Sequence, residues 1–378
     1  DKKRKSRKQK AKKRRFNNEK ESDNLTKISA AQSLQAEIEK RDRGSEIEGA
    51  FIKQMDAYYA SPKSSFYDTR IERKFLEQKI RHLGFKPYPE DGLVTFGASG
   101  TDMCDRQIVF KNAKDVKPKK SNDLPHRGRQ RRVGNALVDF FQLDLLHIPK
   151  VIGKDANIVM DETEDGEYAM EDAVQQRKVF EYDGVEFAIT AKPDGILQYK
   201  PDDSQLLFEY KTKATGIKQY NSKLDYKGAQ DDHLRQVTAE SLLFGITEGL
   251  LVYESTQKPA WFSDEDKKYV TKGQKTWKDG KPLPDLRAFY FEITPQMQEA
   301  LLRDLAKQAR LVYAGEPPMI ETEMTTKCGF CDYTEHCKSI LTPEEITHLR
   351  QVERNMAKSK MAGKFEHSNL LNFLEGVE

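Results

Sequence analysis

The centre of the chain, residues 179–211, constrains the fold most, because short runs rich in β-branched and aromatic residues alternate there with turns. The turns are Asp183-Gly184 and Pro201-Asp202-Asp203, whose residue types favour tight reversals of the backbone. This pattern predicts an antiparallel meander. Segments on both sides carry apolar residues at three- and four-residue steps, which is typical of helices. The sequence therefore predicts an α/β fold. The expected strands of the meander are residues 179–182, 185–190, 195–199 and 205–211.

The flanking segments predict further helices and strands. Two helix starts are marked by capping residues: Thr294 precedes a first-turn Pro295, and Thr342 forms a capping box with Glu345. Gly44 is expected to interrupt the first helical segment. Helices are expected at 24–60, 68–83, 133–146, 229–244, 295–313 and from Thr342 onward, and strands at 249–253 and 287–293. The segments expected to be irregular are a basic loop at 112–133, an acidic loop or inserted hairpin at 161–172, and a polar insertion at 255–284.

The net charge of +3 for the 378 residues hides an uneven distribution. Residues 1–15 hold eleven Lys or Arg and one acidic residue, whereas the rest of the chain holds 53 basic and 60 acidic residues. We therefore expect a basic, disordered arm at 1–22 and a mildly acidic body. The arm is either a flexible tail or localisation signal, or a clamp for nucleic acid. Residues 23–94 are expected to form a helical extension.

Hydropathy restricts the setting in which the chain is expected to work. The sequence contains no run of about 18 apolar residues, which excludes a helical membrane span. It shows no apolar signal segment either, so we expect a reducing, cytoplasmic setting. In that setting the four cysteines are not expected to form structural disulfides.

Two carboxylates and a lysine are expected to meet at the ends of two central strands. Asp194 follows one predicted strand, and Glu209 and Lys211 lie in a later strand. Because strand side chains alternate in direction, Glu209 and Lys211 share a face, and the hairpin can bring Asp194 beside them. Oxygen ligands of this kind suit Mg²⁺ or Mn²⁺, which would polarise a phosphodiester and lower the pKa of a bound water. The alternative is an ordinary surface ion pair.

Pro193-Asp194 followed by Glu209-x-Lys211 resembles the core of the PD-(D/E)xK nucleases, and Gln236 resembles the downstream glutamine of their RecB-like members. The resemblance implies a restriction-endonuclease-like fold, with a central mixed sheet flanked by helices. It also implies that Asp194 and Glu209 bind the metal and that Lys211 assists the nucleophile. Gln236 would orient the site or its DNA, and the alternative is that it is a solvated helix residue.

Three of the four cysteines lie in the segment C-G-F-C-D-Y-T-E-H-C, and the fourth lies far upstream. Two thiolates separated by two residues can hold one metal, and four complete a closed site. On spacing alone, zinc is the default metal, and a 4Fe–4S cluster is equally compatible. The alternative is a set of incidental buried cysteines. The four candidate ligands are Cys104, Cys328, Cys331 and Cys337.

One cysteine before the nuclease-like core and three after it resemble the layout of the iron–sulfur RecB-like nucleases, such as the AddB nuclease domain and the CRISPR-associated RecB-like exonucleases. The resemblance implies a structural 4Fe–4S cluster that joins the two ends of the core. It covers residues 95–340 and leaves a C-terminal helical tail at 341–378 outside. Two positions depart from the family pattern: Val138 stands where a histidine is usual, with Asp139 beside it, and Glu240 replaces a tyrosine.

The resemblance implies a metal-dependent DNA nuclease, and specifically an exonuclease, in recombination, repair or viral DNA metabolism. The competing hypothesis is a nucleic-acid-binding or assembly subunit that keeps the fold but has lost efficient chemistry. The expected location is the cytoplasm or the nucleoid, or the host cytoplasm if the protein is viral.

DNA with single-stranded character is the expected substrate, because an acidic body disfavours broad duplex binding. The sequence has no Walker A motif, so translocation would require a helicase or recombination partner. The basic loop at 117–132, which leads into the helix that flanks the site, is expected either to follow the nucleic-acid backbone or to be merely solvated. Its cations are Lys117, Lys119, Lys120, Arg127, Arg129, Arg131 and Arg132.

Overall fold

The structure is a computed structural model that describes residues 42–84, 91–119, 125–258, 277–278, 281–320, 328–329, 331–358 and 364–377. The basic arm expected at 1–22, the following residues up to 41, and Lys120 lie outside this described part of the chain. Residues 259–276 of the expected polar insertion lie outside it as well. The domain boundaries expected from the sequence stay a prediction.

The described residues contain ten strands: β1 Thr95–Gly97, β2 Ile158–Met160, β3 Gln176–Tyr182, β4 Val185–Ala191, β5 Gly195–Tyr199, β6 Ser204–Lys213, β7 Glu248–Ser255, β8 Trp277–Lys278, β9 Lys281–Pro282 and β10 Leu286–Glu292. Five of them form the central sheet in the order β10-β7-β6-β5-β2, and three form a second sheet in the order β1-β4-β3. In the central sheet, β6 and β7 pair in parallel and the other neighbours pair antiparallel. The central sheet is therefore mixed.

Helices flank these sheets. Those in the described residues are α1 42–60, α2 Thr69–His82, α3 Asp105–Asn112, α4 Pro125–Ile152, α5 Ile217–Lys227, α6 Asp231–Phe244, α7 Pro295–Ala314, α8 Thr334–Ser339, α9 Pro343–Lys358 and α10 Lys364–Leu374. The predicted α/β class, with a central mixed sheet flanked by helices, is confirmed. In the part of the chain that the structure describes, every helix is too short or too polar to cross a membrane.

The predicted meander is wrong in one respect, because its four strands are divided between two sheets. β3 and β4 pair with each other and join β1, whereas β5 and β6 pair with each other in the central sheet. The division falls at Lys192-Pro193-Asp194, between β4 and β5. Pro193 has no backbone N–H to contribute to a ladder, which favours a break at this point. The break leaves Asp194 immediately before β5.

Three helix assignments also differ from the sequence prediction. Gly44 does not interrupt the first helix but lies inside α1, where a Cβ would come within 2.9 Å of the Tyr290 ring. Residues 125–133 belong to α4 rather than to a loop, because the buried second half of this helix stabilises its polar first turns. Helix α5 is absent from the prediction, and its Tyr220 and Leu224 are buried against the central sheet.

The acidic segment at 161–172 forms a short hairpin, which was one of the two alternatives. Glu162 and Tyr168 form an antiparallel bridge. The Thr163 N–H donates to the carbonyl oxygen of Glu167 at 2.8 Å, which closes the turn.

The two predicted helix caps are confirmed. Thr294 Oγ1 accepts a hydrogen bond from the Met297 N–H at the start of α7 (3.3 Å). Before α9, the Glu345 N–H donates to Thr342 Oγ1 (3.2 Å), and the Thr342 N–H donates to Glu345 Oε2 (2.9 Å). These reciprocal bonds are the expected capping box.

Strand β6 lies at the centre of the central sheet and separates two helical layers. Phe208 packs toward α1 and α4, where its ring stacks on Phe141 with centroids 5.9 Å apart. Leu207 points to the opposite face and packs among residues of α5 and α6. The same alternation carries Glu209 and Lys211 to the α6 face of the sheet. The fold therefore places the predicted acidic and basic residues beneath α6.

Candidate active site and cysteine cavity

Asp194 and Glu209 lie opposite each other at adjacent strands. Gly195 pairs with Phe208 in the β5–β6 ladder, so the residues one step outward are Asp194 and Glu209. The Tyr210 N–H donates to Asp194 Oδ2 at 2.8 Å and holds this carboxylate against β6. Glu209 is 3% exposed. The two carboxylates that the sequence predicts to be neighbours are brought together at one edge of the ladder.

Gln236 on α6 connects the lysine to the carboxylates. Lys211 Nζ donates to Glu209 Oε1 at 2.5 Å and to Gln236 Oε1 at 2.9 Å. Gln236 Nε2 donates to Glu209 Oε1 at 2.6 Å and to Glu240 Oε1 at 3.0 Å. Gln236 thus uses both ends of its amide within the cluster and is not a solvated helix residue. Glu240, noted in the sequence only as a departure from the family pattern, belongs to the same network.

The cluster contains more negative than positive charge in a poorly solvated position. Burial, and then the negative charge of Glu209, raises the pKa of Asp194 well above its usual range. The same two causes raise the pKa of Glu240 well above its usual range. Burial alone would lower the pKa of Lys211, but the Glu209 carboxylate outweighs it and the pKa of Lys211 is raised. A bound cation would relieve the mutual repulsion of these carboxylates.

The donor set fits a hard divalent cation. Among the described residues, Glu209 Oε2 and Glu240 Oε2 are buried oxygens without a hydrogen-bond partner. Carboxylate oxygens are the ligands that Mg²⁺ and Mn²⁺ accept most readily. Within the same described part of the chain, no group of three or more His, Cys, Asp or Glu side chains is arranged closely enough to hold one metal ion. Asp194 and Glu209 are the residues that could hold the ion.

The structure also shows what surrounds the position of the family histidine. Val138 packs against the hydrophobic core, and Asp139 forms an ion pair with Lys79 of α2. Gln142 lies one turn further along α4, where its Nε2 donates to the carbonyl oxygen of Asp194 at 2.8 Å. Its Oε1 is buried without a hydrogen-bond partner among the described residues. Residues four apart lie on the same face of a helix, so the spacing between Val138 and Gln142 is the sequence signal that could have identified Gln142.

The predicted nucleic-acid-binding cations lie in two places. Lys117 and Lys119 are exposed in the segment after α3, and the Lys119 N–H donates to the carbonyl oxygen of Asp332 at 2.9 Å. The arginines lie in the first two turns of α4, whose Gly134 packs against Thr212 of β6. The start of α4 therefore lies beside the end of the strand that carries the candidate site. The four arginines are Arg127, Arg129, Arg131 and Arg132.

All four cysteines line one cavity between α3 and α8, and all four are thiols. Cys104 is the N-cap of α3, where its Sγ accepts from the Gln107 N–H at 3.3 Å. Burial, followed by the neighbouring cysteines, raises the pKa of Cys328 to about 12. Burial also raises the pKa of Cys337 to about 11. A metal or cluster that binds thiolates would remove this cost of ionisation.

Comparisons with known proteins found similarity only at the level of the fold. A scan against protein-family models found no match, and a search of curated proteins found none. The crystal structure of SSO0001 is 14% identical, with 73% of this chain and 98% of that chain covered and a TM-score of 0.38. LHK-Exo, an alkaline exonuclease from Laribacter hongkongensis, is 11% identical. The crystal structure of its complex with dAMP has a TM-score of 0.32, with 59% of this chain and 89% of that chain covered. A second crystal structure of LHK-Exo has a TM-score of 0.30, with 58% of this chain and 91% of that chain covered.

Proposed function

We propose that this chain is a metal-dependent DNA nuclease of the PD-(D/E)xK superfamily, that it acts as an exonuclease, and that it resembles the iron–sulfur RecB-like members. The proposal rests on one observation, the meeting of Asp194, Glu209, Lys211 and Gln236 between β6 and α6. A lysine held against the buried Glu209 carboxylate, whose second oxygen has no hydrogen-bond partner among the described residues, is costly for stability alone. Such a cost is typical of a functional site.

The residues of the site take distinct roles in this proposal. Asp194 and Glu209 would hold Mg²⁺ or Mn²⁺, which when bound would polarise the phosphodiester and lower the pKa of the attacking water. Lys211 would orient that water or offset negative charge that develops on the phosphate. Gln236 would keep Lys211 and Glu209 in place, because it bonds to both.

The proposed substrate is DNA with single-stranded character, whose phosphates the cations after α3 and at the start of α4 would contact. The α4 arginines precede Gly134, which packs against Thr212 near the end of β6, so a strand bound along these arginines would lead toward the carboxylates. A helicase or recombination protein is the proposed partner. The proposed location is the cytoplasm or the nucleoid, or the host cytoplasm if the protein is viral.

For the cysteine cavity we propose a structural 4Fe–4S cluster, with zinc as the alternative. The support is the set of four thiols, one buried and three half-buried, that come from both ends of the proposed nuclease core and line one cavity. Protein purified anaerobically should contain iron and sulfide and show the visible absorbance of an iron–sulfur chromophore. Zinc without iron or sulfide would contradict the cluster and support the alternative.

The nuclease proposal is tested with end-labelled single- and double-stranded DNA in the presence of Mn²⁺. The wild-type chain should cleave, and Lys211→Met should reduce the rate by about 100-fold or more, which is typical for the loss of one stabilising group. The matched control is Lys200→Met, in the exposed turn after β5, which should cleave at the wild-type rate. Substrates with blocked 5′ or 3′ ends distinguish an exonuclease from an endonuclease. No cleavage by the wild type, or equal cleavage by Lys211→Met, would refute the proposal.

The second candidate is a nucleic-acid-binding subunit with little or no catalytic activity. The surroundings of α4 favour it, because Val138 has no ligand atom and Asp139 is engaged with Lys79. This candidate predicts DNA binding in Ca²⁺ that depends on the α4 arginines, together with no cleavage in Mn²⁺. Cleavage that depends on Lys211 would exclude it.

A further inference from the structure

Glu240 is a buried carboxyl group that the predicted nuclease motifs do not explain. Its residue is 0% exposed, and its Oε2 has no hydrogen-bond partner among the described residues. An unsatisfied buried polar atom destabilises the fold, and more so when it is charged. A glutamate on the sheet-facing side of α6 therefore needs a compensating interaction.

The position of Glu240 relative to Glu209 follows from their shared donor. Gln236 Nε2 donates to Glu209 Oε1 at 2.6 Å and to Glu240 Oε1 at 3.0 Å, so the two oxygens are at most about 5.6 Å apart. Gln236 lies one helical turn before Glu240 on the same face of α6. The two glutamates therefore lie on opposite sides of one amide, with an unpaired oxygen on each.

The cluster offers more carboxylate oxygens than donors. Lys211 and Gln236 donate to Glu209 Oε1, and Gln236 also donates to Glu240 Oε1. Glu209 Oε2 and Glu240 Oε2 have no donor among the described residues. A divalent cation takes oxygens of this kind as ligands and would satisfy both.

We propose that Glu240 is a third carboxylate of the divalent-cation site. In the part of the chain that the structure describes, Asp194, Glu209 and Glu240 are not arranged closely enough to hold one metal ion, so the proposal includes a side-chain movement that brings Glu240 to the ion held by Asp194 and Glu209. This inference rests on the proposed metal site and adds a ligand to it from α6. A cation shared by β5, β6 and α6 would join the helix to the sheet. Cation binding should therefore stabilise the packing of α6 as well as supply the site.

The test measures cation binding and stability, so its result does not depend on nuclease activity. Full-length, metal-free wild type and Glu240→Gln are titrated with Mn²⁺ by calorimetry and by electron paramagnetic resonance of the free ion. We expect Glu240→Gln to weaken Mn²⁺ binding by about 10–100-fold, the range observed for groups that support a metal site. Glu240→Asp keeps the charge but shortens the side chain, and it should give an intermediate loss. The matched control is Asp231→Asn on the exposed first turn of the same helix, which should bind Mn²⁺ as the wild type does.

Thermal unfolding supplies a second readout, in which Glu240→Gln should be favoured over the wild type without metal and should gain less than the wild type from Mn²⁺. Without metal, Glu240→Gln should unfold at a higher temperature than the wild type, because an amide removes one of the repelling charges. With Mn²⁺, the stabilisation of the variant should be smaller than that of the wild type. A purely structural role of Glu240 predicts a lower unfolding temperature without metal and an unchanged response to Mn²⁺.

The outcomes separate this inference from the proposed function. Equal Mn²⁺ affinity of the wild type and Glu240→Gln overturns the inference and leaves the Asp194–Glu209 site intact. Absence of Mn²⁺ binding by the wild type overturns the inference and the proposed metal site together. Weaker binding by Glu240→Gln in a protein that fails to cleave DNA supports the inference and overturns the nuclease proposal.

Discussion

The buried ion pair between Arg106 and Glu345 should be one of the strongest single contributions to stability near the cysteine cavity. Arg106 Nη1 donates to Glu345 Oε1 at 2.6 Å, and the two side chains are 5% and 7% exposed. Glu345 Oε1 also accepts from the Ile320 N–H at 2.8 Å, and Oε2 accepts from the Thr342 N–H at 2.9 Å. One carboxylate thus joins α3, the segment after α7 and the start of α9.

Removal of Glu345 should lower the free energy of unfolding more than removal of Arg106. Glu345→Ala leaves Arg106 buried without its counter-charge, and Arg106 Nε already lacks a partner among the described residues. We therefore expect a loss of about 3–5 kcal/mol in the free energy of unfolding. Arg106→Met leaves the carboxylate with its two backbone donors, so its cost should be smaller, about 1–3 kcal/mol. The double variant should lose less than the sum of the two single variants.

Urea unfolding of the full-length protein, followed by circular dichroism, measures these costs. Arg310→Met is the control, because Arg310 and Asp183 form a pair whose side chains are 44% and 74% exposed. That variant should lose at most about 1 kcal/mol. A cost for Glu345→Ala no larger than that for Arg310→Met would refute the reasoning.

The pH dependence gives an independent check of the same pair. Burial alone would raise the pKa of Glu345, but hydrogen bonds from the Thr342 and Ile320 N–H groups and the charge of Arg106 lower it below its usual range. A carboxylate with a lowered pKa stabilises the fold above the pKa of the unfolded state, and this contribution is lost as the pH falls through the folded pKa. The difference between the wild type and Glu345→Ala should therefore shrink in acid.

Four further variants test other parts of the structure. Gly249→Ala should lose about 1–3 kcal/mol in urea unfolding, because its Cβ would lie 2.2 Å from the Leu207 carbonyl oxygen. Gly49→Ala, with open space in α1, should instead gain up to about 1 kcal/mol. Burial, and then a neighbouring lysine, lowers the pKa of Lys213 to about 8. Its charge therefore opposes folding most strongly below pH 8, and this penalty declines as the pH rises from the folded pKa toward the higher unfolded pKa. Lys213→Met should be more stable than the wild type at pH 7, and this advantage should be smaller at pH 10. Cys331→Ser should contain less iron or zinc by elemental analysis and unfold at a lower temperature, whereas an unchanged metal content and unfolding temperature would exclude a structural site.

Features set by a few neighbouring residues were predictable from the sequence. The Thr342–Glu345 capping box needs only two side chains at a three-residue spacing, and the structure contains it. The shared face of Glu209 and Lys211 needs only the period of a strand. These patterns remain informative because tertiary contacts do not alter them. Gln236 was identified only through the resemblance to the RecB-like nucleases, because its own sequence context equally fits a solvated helix residue.

Features that depend on distant contacts were not predicted. The division of the meander at Pro193 depends on which sheet each hairpin joins. The first turns of α4 look like a loop because the segment is basic and contains Pro125 and Gly128, yet the buried residues at 141–148 stabilise a helix through them. Helix α5 is different, because Ile217, Tyr220 and Leu224 follow a helical spacing that was visible in the sequence.

The role of Glu240 could not be derived from its sequence alone, because a glutamate in a helix is usually solvated. What indicates a function for Glu240 is the energetic cost of burying its carboxyl group at this position in the fold. The residue lies on the sheet-facing side of α6 at 0% exposure, close to Glu209, where an ionised carboxylate and an unpaired oxygen are both unfavourable. Replacing it with an apolar residue would remove both costs, and the proposed cation site would supply the benefit that offsets them. A position where the fold accepts such a cost is therefore a better indicator of the site than the motif that first suggested it.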